Sequence, residues 1–455
     1  MIDQIRKPAK TQPFIHAGSL GFHYFPDTLH YTERDLQQWL PVLLELGANW
    51  LVIRSDTARA IPETFITTLK QAGISPFIQF HMPLGRIPGS DEISPLISAY
   101  IRWGATHIQF YDRPNIRASW STGGWTQQDL VERFLDRFLP LANQVVKEGA
   151  VPVMPALEPG GNYWDTAFLR AALLSMERRG ENAVLEKLAL SAYAWTHNHP
   201  LDWGAGGPEF WPDARPYFTP ASSQDHLGFR IYQWYLKISE AVLERACPIF
   251  LMQAGLPTHP DHIKIDELAS EEHSSVIKEL YTWVTGKELD GQKSAEESQP
   301  VDLDLPSEVE GCNFWLLSAG RGTPYRDQAW FHSGNPHLPH AQLIAANLTP
   351  PVADAFTNPT ISNEKVFKRI QHPISHYILM ANGQHGGWEQ QLARMLPCIN
   401  KNHSTVGFSI EEAALASRIT IVGKSPFITK DTIARLLRSG SHVEQIDEDG
   451  TVLAS

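Results

Sequence analysis

Short apolar stretches that end in polar or charged residues alternate along most of the chain with longer stretches of helical periodicity. The alternation starts near Phe14 and persists to about residue 335. The first strand is predicted over Gly21–Asp27, GFHYFPD. A helix follows, with Thr32 as N-cap, Asp35 three residues later, Leu36, Trp39, Leu40, Leu43 and Leu46 on one face, and Gly47 to stop it. ANWLVIRSD closes on Asp56, and a helix from Pro62 to Ala72 leads to ISPFIQFHMP, which closes on His81. A helix from Glu92 to Trp103 leads to THIQFYDRPN, in which Ile108–Tyr111 is apolar and Asp112, Arg113 and Asn115 follow. After a helix from Gln127 to Lys147 comes AVPVMPALEPGG, with Glu158 at its end, and then a helix from Asp165 to Arg179. A sixth strand is predicted over Leu188–Trp195, followed by a loop, Leu201–Ser223, dense in Gly, Pro and aromatics. A helix from His226 to Ala246, a seventh strand Ile249–Gln253, a helix from Glu271 to Val284 and an eighth strand Asn313–Gly320 complete the series.

Eight short apolar strands alternating with helices define an α/β chain and predict a (β/α)8 TIM barrel. An open, doubly wound sheet is the alternative. It calls for a Gly-rich nucleotide turn after the first strand, and HYFPD is not one. The expected barrel spans residues 14–335 and includes an acidic, mobile linker over 286–310. Residues 336–370 form a Pro- and Asn-rich connection of weak periodicity, and 371–455 a small C-terminal α/β domain. In that domain the expected order is HYILM, a helix from Trp388 to Leu396, TVGFS, a helix from Ile410 to Ala416, RITIVG, a helix from Lys430 to Arg438, and HVEQI. Its Gly-rich turn NGQHGGW has no Lys or Ser/Thr in phosphate-binding register. Packing or self-association is the expected role of this domain. Over one unit, its ending resembles a bacterial cell-wall-binding repeat of strand–helix–strand type, without that repeat's arginine-tyrosine ending.

Composition narrows the partners. The chain has 455 residues and a formal net charge of −12, with no basic run, which argues against nucleic acid as a partner. Three distant cysteines, Cys247, Cys312 and Cys398, make no metal or disulfide framework. Cys247 and Cys312 read as small buried hydrophobes that begin strands, at the face opposite the chemistry. With no leader-like or membrane-spanning stretch, a cytoplasmic protein with no membrane partner is expected.

A barrel presents its chemistry where the strands end. Those ends supply His23 and Tyr24, Asp56, His81, Asp112 with Arg113, Asn115, Glu158, Tyr193, Trp195 with His197, and Gln253. Asp112 and Glu158 on neighbouring strands are candidate paired carboxyl groups, with Asp56 in reserve. Helix capping or pairing with Arg54 and Arg113 is the competing role for Asp56 and Asp112, and a turn for Glu158. The loops after strands four to six are rich in aromatics, among them Trp120, Trp125, Trp164, Trp203, Trp211 and Tyr217. Such rings stack on sugar C–H faces, so a carbohydrate ligand is expected, with His23, Tyr24, Asp56, His81, Asn115, Trp164, Tyr193, Trp195 and Trp203 as contacts.

The stretches YDRPN and LMQAGLP give the barrel a resemblance to the clan of retaining glycoside hydrolases whose catalytic carboxylates lie on strands four and seven. In that clan strand four ends in Asn-Glu-Pro, whose Glu is the acid/base, and strand seven ends in the nucleophilic Glu. Matched residue by residue, Asp112 stands at the Asn, Arg113 at the acid/base and Gln253 at the nucleophile. Arg stays protonated, and a neutral amide is a poor nucleophile, so this pair cannot run the clan's double displacement. Two readings follow from the resemblance: a barrel that binds a carbohydrate without cleaving it, and a hydrolase with catalysis moved to Asp112 and Glu158. A third is metal-dependent hydrolysis using His23, His81, His197, His199 or His259, although no HExxH is present. No GxSxG elbow supports a nucleophilic triad. No cofactor is expected.

Overall fold

The computed structural model describes residues 20–348, apart from 58, 86–89, 257–264, 288 and 290–304. Within 374–454 it describes 374–380, 392–393, 395–396, 399, 404–423, 428–438, 441–446 and 452–454. These fall into two compact units, one drawn from 1–61 and 73–348 and one from 62–72 and 349–455. The helix Glu63–Gln71, predicted as part of the barrel, groups with the second unit.

The first unit is a closed (β/α)8 barrel. Its strands are β1 Leu20–His23, β2 Trp50–Ser55, β3 Ser75–Phe80, β4 His107–Phe110, β5 Val151–Val153, β6 Leu190–Trp195, β7 Ile249–Gly255 and β8 Val309–Phe314. They pair in parallel in the order β5-β4-β3-β2-β1-β8-β7-β6. The ring closes between β5 and β6: the Met154 N–H donates to the Ala189 carbonyl at 2.9 Å, and the Ala189 N–H to the Pro152 carbonyl at 3.1 Å. Parallel bridges Val153↔Ala189 and Leu157↔Ala192 mark the seam. No edge strand is left open, which rules out a doubly wound sheet.

Side chains fill the ring. Val52, Phe77, Val153, Tyr193, Phe250 and Met252 pack as one cluster with Trp50 and Val151. Trp50, Phe77, His107 and Phe250 meet edge-to-face or stacked, with centroids 4.9–6.4 Å apart. Gly21 and Gly311 make room for them. A Cβ on Gly21 would lie 2.0 Å from Asn313 Oδ1, and one on Gly311 would lie 2.9 Å from Phe250. The barrel is a packed core below its mouth.

Local signals act as the pattern implies. The helix Glu33–Leu46 opens on a complete Thr32/Asp35 capping box and stops at Gly47, whose φ of 83° is left-handed. The differences are at strand ends. β1 stops at His23, four residues short, ahead of a Pro26 that cannot donate to the ladder. β7 continues through Gln253 to Gly255. β8 runs Val309–Phe314, so Val309 and Glu310 of the expected linker are strand, and Cys312 lies mid-strand. The apolar run NFWLL spans both the strand and the segment after it, so periodicity does not locate where pairing ends. The Pro-rich connection contains a helix, Pro339–Asn347, with Pro at its first turn. Cys247 and Cys312 are buried and free; Cys398 lies outside the described residues, as does NGQHGGW.

The second unit has strands Thr405–Gly407, Ile374–Met380, Ala416–Val422, His442–Ile446 and Val452–Ala454 in that spatial order, the last antiparallel. Ile374, Tyr377, Leu379, Ile419, Ile421, Leu436 and Val443 form its core. Among the described residues, no helix is long and apolar enough to cross a membrane.

Candidate functional site

Backbone geometry singles out the C-terminal ends of β4, β6 and β7. Tyr111, Arg113, His197, Asn198 and Gln253 all have positive φ, between 43° and 67°, without being glycine. Each such residue costs on the order of 1–3 kcal/mol, and such strain concentrates at functional sites. Gln253 sits in a β-bulge. Between Leu251 and Ala254, β7 has one residue more than β8, and between Met252 and Gly255 one more than β6. A bulge re-aims a side chain at a barrel rim.

Asp112 and Glu158 meet at one cation, Arg113, and Tyr193 joins them through Asp112. Arg113 Nε donates to Asp112 Oδ2 at 2.9 Å, and Nη1 to Glu158 Oε2 at 3.1 Å. The Tyr193 hydroxyl donates to Asp112 Oδ1 at 2.5 Å. Tyr193 stacks on Trp195 with centroids 4.6 Å apart, and the Trp195 indole donates to Gln253 Oε1 at 3.3 Å. Asp112, Arg113, Glu158, Tyr193, Trp195 and Gln253 are thus one connected group across β4, β5, β6 and β7.

Charge states follow from this packing. Burial raises the Asp112 carboxyl, but Arg113, the Tyr193 hydroxyl and His81 outweigh it and hold it below the usual carboxylate range. Burial lowers Arg113, and Asp112, Tyr193 and Glu158 reverse this and raise it. His23, at the end of β1, is lowered to about 3 by burial and then by Arg54, with Asp112 opposing. Its neutral Nε2 is buried with no protein partner. Desolvation and then Arg54 also lower His81, which is accessible at the rim of β3.

Other expected contacts are built into loops. Asn115 is fully buried. Its Nδ2 donates to the Glu158 and Tyr163 carbonyls at 2.9 and 3.0 Å, and its Oδ1 accepts the Glu158 N–H at 2.9 Å. It clamps the Glu158 turn and has no free amide for a ligand. Asp56 accepts from the Thr28 hydroxyl and the Arg59 N–H, which ties the segment after β1 to the turn after β2. Trp203 donates to Asp225 and lies 4.0 Å from the His199 ring. Trp164 packs between Tyr217 and His226. Tyr24 is buried against Phe25 and Tyr31. Of the metal-reading histidines, His259 lies outside the described residues, and the other four do not cluster with three donors.

Trp315 is a mouth residue that sequence reasoning missed. It follows β8, sets its ring edge-to-face to His23 at 5.2 Å, and donates from its indole to Gln328 at 2.7 Å. Its position right after the last paired residue was the available signal, hidden by the uninterrupted apolar run. A cavity of about 570 Å³ opens beside the mouth, lined by Thr196, His199, Leu256, Glu267 and His273; it touches none of the six connected residues.

Fold and mouth together define a (β/α)8 barrel with a polar, aromatic-lined site at its strand ends. Among solved structures the chain is similar to the GH39 enzyme from Xanthomonas axonopodis pv. citri, at 13% identity and a TM-score of 0.46, over 74% of this chain and 67% of that one. It is also similar to a GH39 beta-xylosidase from Caulobacter crescentus, at 13% identity and a TM-score of 0.45, over 74% and 72%. No family model matches the chain. No curated protein matches it. The barrel assignment rests on the strand pairing itself.

Proposed function

We propose that the barrel mouth binds a neutral carbohydrate and does not cleave it by double displacement. The observation behind this is Arg113. It stands where the resemblance puts the acid/base and is tied by ion pairs to both carboxylates that could replace it. A general acid needs a pKa raised toward the working pH, whereas Asp112 is shifted the other way. At the nucleophile position Gln253 offers an amide, already accepting from Trp195.

The same group favours a neutral ligand. Two carboxylates around one guanidinium leave a negative excess, which disfavours an anionic sugar. Arg113 Nε and Nη1 already donate to Asp112 and Glu158. Sugar hydroxyls can pair with the outer carboxylate oxygens and with the exposed His81 ring at the rim of β3. Phe210, Tyr217 and Phe218, in the loop after β6, are 76%, 65% and 65% exposed, so ring faces are open for stacking. Hydrolysis relocated to Asp112 and Glu158 is the second reading, favoured by their placement on adjacent strands β4 and β5. A panel of aryl glycosides separates the two. The binding reading expects no turnover; wild-type turnover that Glu158→Gln abolishes establishes relocated hydrolysis.

A further inference from the structure

A second cluster of chemistry-bearing side chains lies outside the mouth, in the segment after β8. The strands Phe331–His332 and Asn335–Pro336 form a tight hairpin, with His332 paired to Asn335. Its turn is Ser333-Gly334, with φ of 51° and 89°, the two left-handed residues that such a hairpin needs. That register makes His332 and His337 diagonal neighbours on one face. Their rings stack 3.6 Å apart at 18°. Asp327, the middle residue of the preceding 3-10 turn Arg326–Gln328, completes the group: one donor atom from each of Asp327, His332 and His337 lies within 4.8 Å of the others. Among the described residues no other three His, Cys, Asp or Glu side chains come together in this way.

We propose that Asp327, His332 and His337 bind a divalent transition ion of the zinc type. Two imidazoles and a carboxylate are a borderline donor set, suited to Zn²⁺ rather than to Ca²⁺ or Mg²⁺. A tetrahedral zinc with ligands at ~2.0–2.1 Å brings donor atoms to roughly 3.3 Å of one another. The exposed Asp327 and half-buried imidazoles reach that by side-chain rotation. His332 is already oriented. Its Nε2 lies 2.8 Å from the Arg326 carbonyl. A carbonyl only accepts, so that nitrogen carries the proton and Nδ1 keeps the lone pair, the arrangement usual for a metal-bound histidine. The fourth position faces solvent and takes water.

The ion would do structural work at the mouth. Asp327 adjoins Gln328, which accepts the Trp315 indole, and Tyr325 sets its ring against Trp315 at 5.6 Å. Tying Asp327 to the hairpin fixes the turn that holds Trp315 against His23.

Calorimetric titration of the full chain with zinc chloride tests this, with Co²⁺ absorption as the second readout. The expected result is one ion per chain, with affinity falling by at least about tenfold in Asp327→Asn, an isosteric change at the surface, and in His337→Gln. Arg326→Ala is expected to tighten binding: it removes a nearby positive charge and keeps the backbone carbonyl that orients His332. Zinc should raise the melting temperature of the wild type but not of His332→Ala/His337→Ala. No zinc binding by the wild type overturns the proposal. So does equal binding by the wild type and Asp327→Asn, whose folding is checked by circular dichroism.

Discussion

At the scale of single residues, the mouth is an electrostatic compromise with measurable consequences. Arg113, Asp112 and Glu158 are each about four-fifths buried, with side-chain exposures of 22%, 17% and 21%. Removing the cation leaves two carboxylates facing each other in a desolvated site. Arg113→Gln is therefore expected to destabilise the chain by about 3–5 kcal/mol in chemical denaturation. Acid acts through the histidines. Burial lowers His23 to about 3, and burial lowers His197 and His273 to about 4. A group whose folded pKa lies below its unfolded value contributes stability above the unfolded pKa, and that stability is lost as pH falls. Each imidazole therefore favours unfolding progressively from pH 6.5 down to its folded value, at about 1.4 kcal/mol per unit. Asp112 adds to the acid loss as pH falls through its depressed value. His226 opposes it: burial lowers His226, but Asp165 outweighs this and raises it, so its contribution is present at low pH and lost as pH rises. The melting temperature is expected to fall steeply between pH 6.5 and 4, and less so in His23→Gln. A flat profile for the wild type contradicts this assignment.

At the scale of elements, what the sequence showed and what it hid have separate physical causes. Helices were readable because capping and periodicity are local: Thr32, Asp35 and Gly47 mark both ends of one helix without tertiary help. Asp112, Arg113 and Glu158 were legible because charge at the end of an apolar strand is unusual, and neutral Gln253 only through the resemblance of LMQAGLP. The bulge at Gln253 was not, since an extra residue is defined only by the strands on either side. Nor was the role of Asn115, whose partners lie 43 and 48 residues away. Trp315 was missed because pairing, not hydrophobicity, ends β8. The fit of β1 against β8 gives a test. Gly21→Ala places a methyl against Asn313, whose Nδ2 donates to the Leu251 carbonyl at 3.1 Å. Overpacking of this kind costs about 1–3 kcal/mol. The denaturation midpoint of Gly21→Ala should fall accordingly, and Asn313→Ala should recover part of the loss in the double variant. Additive losses in that cycle would place Asn313 outside the contact.

At the scale of the molecule, a closed parallel barrel precedes a second α/β unit with its own core. The barrel mouth combines strained backbone, one guanidinium bridging two carboxylates, and exposed rings in the neighbouring loop. The proposed role of the second unit in self-association is open to light scattering of the full chain over a range of concentrations, where mass should rise toward a multiple of 51.1 kDa. The central claim is binding without cleavage. Its most direct test is capture of neutral oligosaccharides by the wild-type chain, followed by mass spectrometry of what is released. Recovery of intact glycan, with capture weakened in Gln253→Ala, is the predicted result. Recovery of shortened glycan, or of none, contradicts it.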